Sequence, residues 1–313
     1  MSAPGRSEPP LPPRDLMSRV GHVPDDKLEF VYLLSGQDLK SKVCELLGDE
    51  WSWEGSRVLD FGCGSGRLLR QLLDEARVAE IHGSDISEEM VSWIRANLCP
   101  PIAGATVNGE RPPLAFPDDH FDLITAISVF THIADRWSDW LLEMKRVLKP
   151  GGTLIATFLD SSCAGALAPL PWDEERVGMS AFGYANPDYS WVNVLHSRWW
   201  LREHWGRAFE ILKLLPGDEV LHGDGVAGPR QGWLLLRARD VELSPADLER
   251  ERPDDDRYLA ARRYQLELLR AEGDELRSRN LARLLRGSVR IRTRLNRTRE
   301  TLRHPSSLFR GLR

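Results

Sequence analysis

One short segment constrains this chain more than any other: an apolar strand that runs directly into a turn with three glycines. Residues 58–61 read VLDF, and residues 62–66 read GCGSG. Glycine adopts positive φ angles without strain and lets the backbone approach a ligand closely. Because a strand of an α/β sheet presents such a turn at its carboxyl end, the segment predicts a ligand site at that edge.

Strand and helix patterns alternate on both sides of this turn. The spacing of apolar residues predicts helices at 38–47, 66–76, 87–97 and 137–148, and strands at 57–61, 79–84, 104–107, 121–127 and 153–159. Such alternation indicates an α/β fold with a parallel sheet. Two later apolar runs, at 208–215 and 233–238, predict a closing hairpin.

The spacing of the glycines separates two classes of cofactor. A dinucleotide fingerprint, GxGxxG, would need its third glycine at the position of Arg67. The spacing therefore disfavours an NAD-linked reductase. Instead, Asp60 followed by Gly62, Gly64 and Gly66 resembles the signature of the class I methyltransferases that depend on S-adenosylmethionine (SAM).

The resemblance continues through residues 108–122 and the turn at 148–152, and it covers roughly residues 40–160. It implies SAM as the cofactor. It also implies a Rossmann-like, seven-stranded, mostly parallel sheet with helices on both faces, whose antiparallel strand comes from the terminal hairpin. Residues 128–132 and 209–212 are similar to those of bacterial methyltransferases that modify small molecules or glycans.

Asp85 is the predicted ribose-binding residue. It ends the second predicted strand about 20 residues beyond the glycine turn, where a carboxylate can accept hydrogen bonds from both ribose hydroxyls. The alternative is that Asp85 caps the next helix, but Ser87 already supplies a plausible cap. The resemblance implies that the glycine turn contacts the methionine part of SAM and that Asn108 and Gly109 lie near the adenine. The predicted cofactor contacts are Asp60, Gly62, Cys63, Gly64, Gly66, Asp85, Ile86, Asn108, Gly109 and Ser128.

Two histidines are candidates for the base that a hydroxyl acceptor needs, because histidine titrates near neutral pH. His132 follows the fourth predicted strand, at the edge where ligands bind in such folds. His196 lies just before a helix that Ser197 could cap. Each histidine could instead be a packing or capping residue, and this alternative stays open for both.

The remaining composition indicates no further cofactor. Motifs with metal-ligand spacing do not occur, so no metal is predicted. The four cysteines, Cys44, Cys63, Cys99 and Cys163, form no CxxC pair, which predicts neither a disulfide framework nor a zinc site.

Charge is distributed unevenly along the chain. Residues 1–244 hold 24 basic and 36 acidic side chains, whereas residues 245–313 hold 11 acidic side chains and 18 basic ones, all arginine. The acidic body argues against nucleic acid as the acceptor. Eleven of the arginines fall in 279–313, and this segment either packs on the body as a solvated helix or binds a membrane surface or protein partner.

The predicted organisation is a disordered lead-in at 1–16, a methyltransferase domain at 17–240 and an Arg-rich helical tail at 245–313. An aromatic-rich insertion at 160–206 forms either a lid over the acceptor or its own small core. Without an apolar leader or membrane span, the predicted location is cytoplasmic, with peripheral membrane attachment as the alternative.

The predicted function is transfer of a methyl group from SAM to a small-molecule acceptor, with a hydroxyl of a small molecule or sugar-bearing substrate favoured. Methylation of nitrogen or carbon stays open. The alternative is a non-catalytic protein that keeps the fold and works through its Arg-rich tail.

Overall fold

A seven-stranded sheet organises the computed structural model, which describes residues 9–18, 24–168, 170–183, 192–218 and 231–278. The strands are β1 (Arg57–Phe61), β2 (Glu80–Asp85), β3 (Gly104–Val107), β4 (Phe121–Ala126), β5 (Leu148–Phe158), β6 (Met179–Phe182), β7 (Asn193–His196), β8 (Phe209–Leu215) and β9 (Gly232–Ala238). The order in the sheet is β3-β2-β1-β4-β5-β9-β8, and β6 and β7 form a separate antiparallel pair. Strands β1 to β5 are parallel, whereas β9 is antiparallel to both β5 and β8. The predicted mostly parallel sheet with an antiparallel strand from the terminal hairpin is confirmed.

Helices cover the sheet between the strands. In the described ranges they are α1 (Arg14–Met17), α2 (Leu28–Leu47), α3 (Glu88–Asn97), α4 (Trp137–Val147), α5 (Ser161–Leu167), α6 (Arg198–Ala208), α7 (Pro245–Glu249) and α8 (256–278). Serine side chains cap three of them: Ser87 at α3, Ser197 at α6 and Ser244 at α7. Each accepts a hydrogen bond from a backbone amide that the helix leaves unpaired. Within the part of the chain that the structure describes, no helix has the length and apolar character needed to cross a bilayer.

The core lies on both faces of the sheet, because successive strand side chains point to opposite faces. Leu59 of β1 and Ile124 of β4 pack in a cluster with α4 and α6. Their neighbours Val58 and Leu123 pack in a second cluster with α2 and α3. This two-layered burial explains why the strands contain nearly continuous apolar runs.

One predicted helix differs in type. The segment predicted as a helix at 66–76 contains two short 3₁₀ turns, Leu69–Leu72 and Glu75–Arg77. The amide of Gln71 bonds the carbonyl three residues earlier, at 2.8 Å. Because side chains three residues apart share one face of a 3₁₀ turn, Leu69 and Leu72 are both buried.

The structure describes the second half of the lead-in 1–16 for which disorder is predicted. Residues 9–16 lie against the body, because Leu16 is buried and the adjoining Met17 packs with Tyr32 of α2. The first eight residues lie outside the described residues. Apolar side chains beside the prolines supply the contacts that a disordered segment would lack.

Residues 245–278, the first part of the predicted tail, pack on the body. Leu248 of α7 and Leu268 of α8 are fully buried. Gln265 of α8 pairs with the backbone of Ala181 in β6, accepting from its amide at 3.0 Å and donating to its carbonyl at 2.9 Å. Residues 279–313 lie outside the described residues.

The insertion forms part of this packing. Trp172 and Phe182 belong to a cluster with Tyr264 and Leu268 of α8, and the rings of Trp172 and Tyr264 meet edge to face at 5.6 Å. For these two aromatic residues the structure therefore shows a small core. Three further aromatic residues of the insertion, Tyr184, Tyr189 and Trp191, lie outside the described residues.

Candidate cofactor and active site

The glycine turn after β1 adopts the positive-φ backbone that its sequence predicts. The three glycines of 62–66 have φ angles between 54° and 82°. The amides of Gly62 and Cys63 donate to the carbonyl of Ser84 in β2, at 2.7 and 3.1 Å. A Cβ at Gly62 would lie only 2.3 Å from Cγ2 of Val129, so glycine is required there for space as well as for its φ.

Asp85 ends β2 beside this turn and is nearly buried. Its Oδ2 accepts a hydrogen bond from the amide of Gly64 at 2.8 Å, and its Oδ1 accepts one from the amide of Ser87 at 2.9 Å. The side chain that caps α3 is that of Ser87, which accepts from the amide of Met90, so the capping alternative for Asp85 is not what the structure shows. Each carboxylate oxygen can accept a further bond, and a carboxylate fixed in this way suits a pair of neighbouring hydroxyls.

The predicted adenine-side residues lie at the same edge. Ile86 is 58% exposed although it is large and apolar, which suits the flat face of a purine. The amide of Asn108 donates to the carbonyl of Asp85 at 3.0 Å, and its Oδ1 accepts from Ser84 Oγ at 2.9 Å. Its Nδ2 donates to the carbonyl of Gly109 at 2.9 Å. These bonds hold the ends of β2 and β3 together.

Two predicted contacts, Asp60 and Cys63, have buried side chains. Asp60 is buried and accepts a hydrogen bond from Thr125 Oγ1 at 2.7 Å. Burial raises the pKa of Asp60 to about 7, against the opposing effects of that hydrogen bond and of the Arg67 charge. The Cys63 thiol packs in the core, and burial raises its pKa well above the usual range. Cys63 can therefore offer a ligand only its backbone.

Ser128 follows β4 in a backbone conformation that is unusual for serine, with a φ of 58°. Its amide donates to Thr157 Oγ1 at 2.7 Å, and its Oγ accepts from Gln231 Nε2 at 2.7 Å. Strain that is held by neighbouring side chains is typical of functional sites. Thr157 and Gln231 could not be predicted from the sequence, because only the pairing of β5 and β9 with the rest of the sheet brings them to this edge.

His132 lies in the loop after β4, close to Ser128 in sequence. Its Nδ1 is 2.8 Å from the carbonyl oxygen of Val192. Because a carbonyl can only accept, Nδ1 carries the proton and Nε2 is the basic nitrogen of the neutral ring. Burial lowers the pKa of His132. The ring is thus a neutral imidazole in a fixed tautomer.

His196 has a different environment. It ends β7 with no exposed surface, and its ring lies 5.4 Å from that of Trp200 and 6.2 Å from that of Trp205. Burial lowers the pKa of His196 to about 3. A side chain enclosed by tryptophans has no path to an acceptor, so this geometry supports a packing role for His196.

The glycine turn, Asp85 and Ser128 follow strands β1, β2 and β4 at the carboxyl edge of the sheet, where the strand order reverses between β1 and β4. In doubly wound sheets, ligands bind in the crevice outside the carboxyl ends of the strands at this point. The groups there fit SAM: a fixed carboxylate for the ribose hydroxyls, an exposed isoleucine for the adenine, and a glycine turn that lets the backbone approach the methionine part.

Comparison with known proteins agrees with this geometry. Residues 59–156 match a family described as a methyltransferase domain. Residues 59–156 therefore belong to a class I SAM-dependent methyltransferase domain. The methyltransferase domain contains every predicted cofactor contact, from Asp60 to Ser128, and SAM is the cofactor of its family.

Curated relatives match mainly around the methyltransferase domain. A fatty-acid O-methyltransferase of Mycolicibacterium smegmatis is 35% identical over 105 residues, which cover 33% of this chain and 37% of the relative. A ubiquinone/menaquinone biosynthesis C-methyltransferase of Geobacter sulfurreducens is 38% identical, with 34% and 42% covered. A malonyl-[acyl-carrier protein] O-methyltransferase of Halorhodospira halophila is 34% identical, with 33% and 35% covered. The chain therefore spans less than half the length of these three relatives.

The match to a solved structure extends beyond residues 59–156. The S-adenosylmethionine dependent methyltransferase from Mesorhizobium loti superposes with a TM-score of 0.51 at 20% identity. The match covers 65% of this chain and 99% of that protein.

Proposed function

We propose that this chain transfers the methyl group of SAM to an oxygen atom of a small-molecule acceptor. The observation that carries the proposal is the edge where the strand order reverses, which combines the glycine turn, the fixed Asp85 carboxylate and the exposed Ile86. The favoured acceptor group is a hydroxyl of a small molecule or sugar-bearing substrate. Two of the relatives named above are O-methyltransferases, which supports oxygen, whereas the third is a C-methyltransferase and makes carbon the competing acceptor atom.

The residues of this chain would divide the work between binding and proton transfer. Asp85 accepts hydrogen bonds from the ribose hydroxyls, and the turn at 62–66 admits the methionine part. When bound, SAM supplies an electrophilic methyl group on a sulfonium. That methyl group would pass to the acceptor oxygen, with S-adenosylhomocysteine as the leaving group, and Nε2 of His132 would take the hydroxyl proton.

The sugar-bearing version of the acceptor rests on the sequence resemblance alone. Trp172 and Phe182 could have offered flat faces to a sugar, but both pack in the cluster with α8. The proposal therefore stands for a hydroxyl, whichever molecule carries it.

Calorimetric titration with SAM and, separately, with NADH tests the cofactor. We expect the wild type to bind SAM and not NADH, and Asp85→Asn to bind SAM about 30-fold more weakly, because a charge-assisted pair of hydrogen bonds to the ribose is lost. Asp122→Asn is the matched control, since Asp122 also accepts from a backbone amide, that of Arg57 at 2.9 Å, but at the opposite edge of the sheet. Equal SAM affinity in all three proteins would overturn the assignment of Asp85.

We also propose that the segment 279–313 brings the enzyme to an anionic membrane surface. The segment lies outside the described residues. Its sequence contains 11 arginines and one acidic residue, and its leucines and isoleucine recur at helical spacing. Clustered basic residues are attracted to anionic lipid headgroups while apolar side chains enter the interface.

A further inference from the structure

A second cluster of polar side chains lies at the opposite edge of the sheet from the glycine turn. Glu80 begins β2, His82 follows on the same face of that strand, and His120 immediately precedes β4. One potential ligand atom from each residue lies within 4.8 Å of the other two. None of the three side chains has a part in the proposed methyl transfer.

The spacing of these atoms suits a shared cation. His82 Nε2 is 2.9 Å from Glu80 Oε1, and the two imidazole rings lie 6.4 Å apart between centroids. Zinc holds nitrogen and oxygen ligands at about 2.0–2.2 Å, which places neighbouring ligand atoms roughly 3.5 Å apart. The three potential ligand atoms, which all lie within 4.8 Å of one another, are close to that spacing.

Two phenylalanines hold both imidazoles in place. The His82 ring meets Phe116 edge to face at 5.5 Å and Phe121 at 6.0 Å. The His120 ring meets Phe121 at 4.7 Å and stacks on Phe116 at 6.1 Å. Because one aromatic pair orients both rings, little side-chain freedom remains to be lost when a ligand binds.

The charges around the cluster select the kind of cation. Arg57 Nε donates to Oε2 of Glu80 at 3.1 Å, which orients the carboxylate and leaves Oε1 toward His82. The Lys149 ammonium is paired with Asp122, at 2.7 and 2.8 Å. With one carboxylate already shared with arginine, the imidazoles must supply most of the binding. Imidazole favours zinc, cobalt or nickel over magnesium and calcium.

We propose that Glu80, His82 and His120 form a binding site for a divalent transition metal ion of the zinc class, with water completing its coordination. The ion would join the start of β2 to the segment between β3 and β4. That segment begins at Asn108, on the cofactor edge, so the ion would stabilise the part of the methyltransferase domain that carries Asn108. The ion itself would lie at the opposite edge of the sheet and would not contact the acceptor. The sequence showed no metal motif because the third ligand is distant in the chain and only the fold brings it close.

Metal titration of the full chain tests this site. Chelator-treated protein is titrated with Zn²⁺ against a chromophoric chelator, and with Co²⁺ by its visible absorption. We expect one saturable equivalent and a rise in Tm of about 5 °C at saturating Zn²⁺. His82→Gln and His120→Gln should each weaken binding at least about 10-fold, and the double variant should lose the Co²⁺ absorption band.

Glu80→Gln keeps both rings and tests the carboxylate if a histidine variant folds poorly. Its matched control is Glu210→Gln, because Glu210 forms a comparable pair with Arg237 on the neighbouring strand, at 3.5 Å, and the cluster does not include it. Absence of saturable binding in the wild type, or unchanged binding in the double variant, would overturn the proposal. SAM binding is measured in parallel, so failure of the metal site and failure of the methyltransferase assignment remain distinguishable.

Discussion

At the scale of single residues, His132 is the side chain whose replacement tests the chemistry most directly. Its Nδ1–H donates to the Val192 carbonyl and burial lowers its pKa, so the ring is a neutral base at pH 7. We expect His132→Asn, which keeps a donor near Nδ1 but has no base, to lower kcat about 100-fold with an unchanged SAM dissociation constant.

The pH profile of kcat gives a second readout of the same residue. Because burial lowers the pKa of His132 below the usual range of histidine, wild-type kcat should stay constant near neutral pH and decline only under more acidic conditions. The Asn variant should lack that decline. His196→Phe is the control, since its site is enclosed by tryptophans, and it should keep both kcat and the acidic decline. A loss of turnover in His196→Phe with normal folding would reverse the two assignments.

The position of residues that lie in one local stretch of backbone could be predicted from the sequence. The glycine turn and Asp85 lie in one strand-turn unit and its neighbour, and their spacing alone placed them at the carboxyl edge. Burial could not be predicted in the same way. His196 packs against Trp200 and Trp205 of α6, whereas His132 lies in the loop after β4 and bonds the carbonyl of Val192. Gln231 belongs to no motif and reaches Ser128 only through the position of β9.

At the scale of the element, Gly62 tests whether the turn after β1 has room for a side chain. Gly62→Ala adds a positive-φ strain of about 1 kcal/mol and a clash with Val129, which costs about 1–3 kcal/mol more. We expect urea denaturation to show a free energy of unfolding that is lower by the sum of these two costs. Calorimetry should show that the variant no longer binds SAM.

Gly151→Ala is the matched control for the turn. Gly151 has a φ of 73°, against 72° at Gly62, but nothing lies within 4 Å of the added Cβ. The free energy of unfolding of Gly151→Ala should therefore fall by only about 1 kcal/mol, and its SAM affinity should be unchanged. Equal losses in both variants would mean that the close contact with Val129 contributes nothing.

Elements whose ends are marked by glycine or serine were predicted closely, and elements without such residues at their ends were not. Strand β1 and helix α3 begin and end within a residue of their predicted limits, because glycine and serine mark their ends. The segment 66–76 carries a helical pattern of leucines, yet it forms 3₁₀ turns whose leucines face the core. Helix α8 was assigned to a separate tail because its buried side, with Tyr264 and Leu268, is no more apolar in sequence than its exposed side.

At the scale of the whole molecule, the boundary between body and tail decides how the Arg-rich segment can be tested. Removal of residues 245–313 would also remove the buried Leu248, Tyr258 and Leu268. His204 would lose two hydrogen-bond partners as well, the carbonyl of Leu248 at 2.6 Å and the hydroxyl of Tyr258 at 3.2 Å. A protein ending at residue 244 should therefore unfold at a lower temperature, which would obscure any effect on binding.

A protein ending at residue 278 keeps those contacts and loses 11 arginines and one glutamate. We expect it to match the full chain in Tm and SAM affinity but to fail to float with phosphatidylglycerol vesicles, because the electrostatic attraction resides in the removed segment. The full chain should float with these vesicles at low salt, less at high salt, and not with phosphatidylcholine vesicles, since salt screens exposed charges. Equal flotation of the two proteins would place any membrane contact on the body. If neither protein floats, the segment does not bind this membrane surface, and the alternative of a protein partner is favoured.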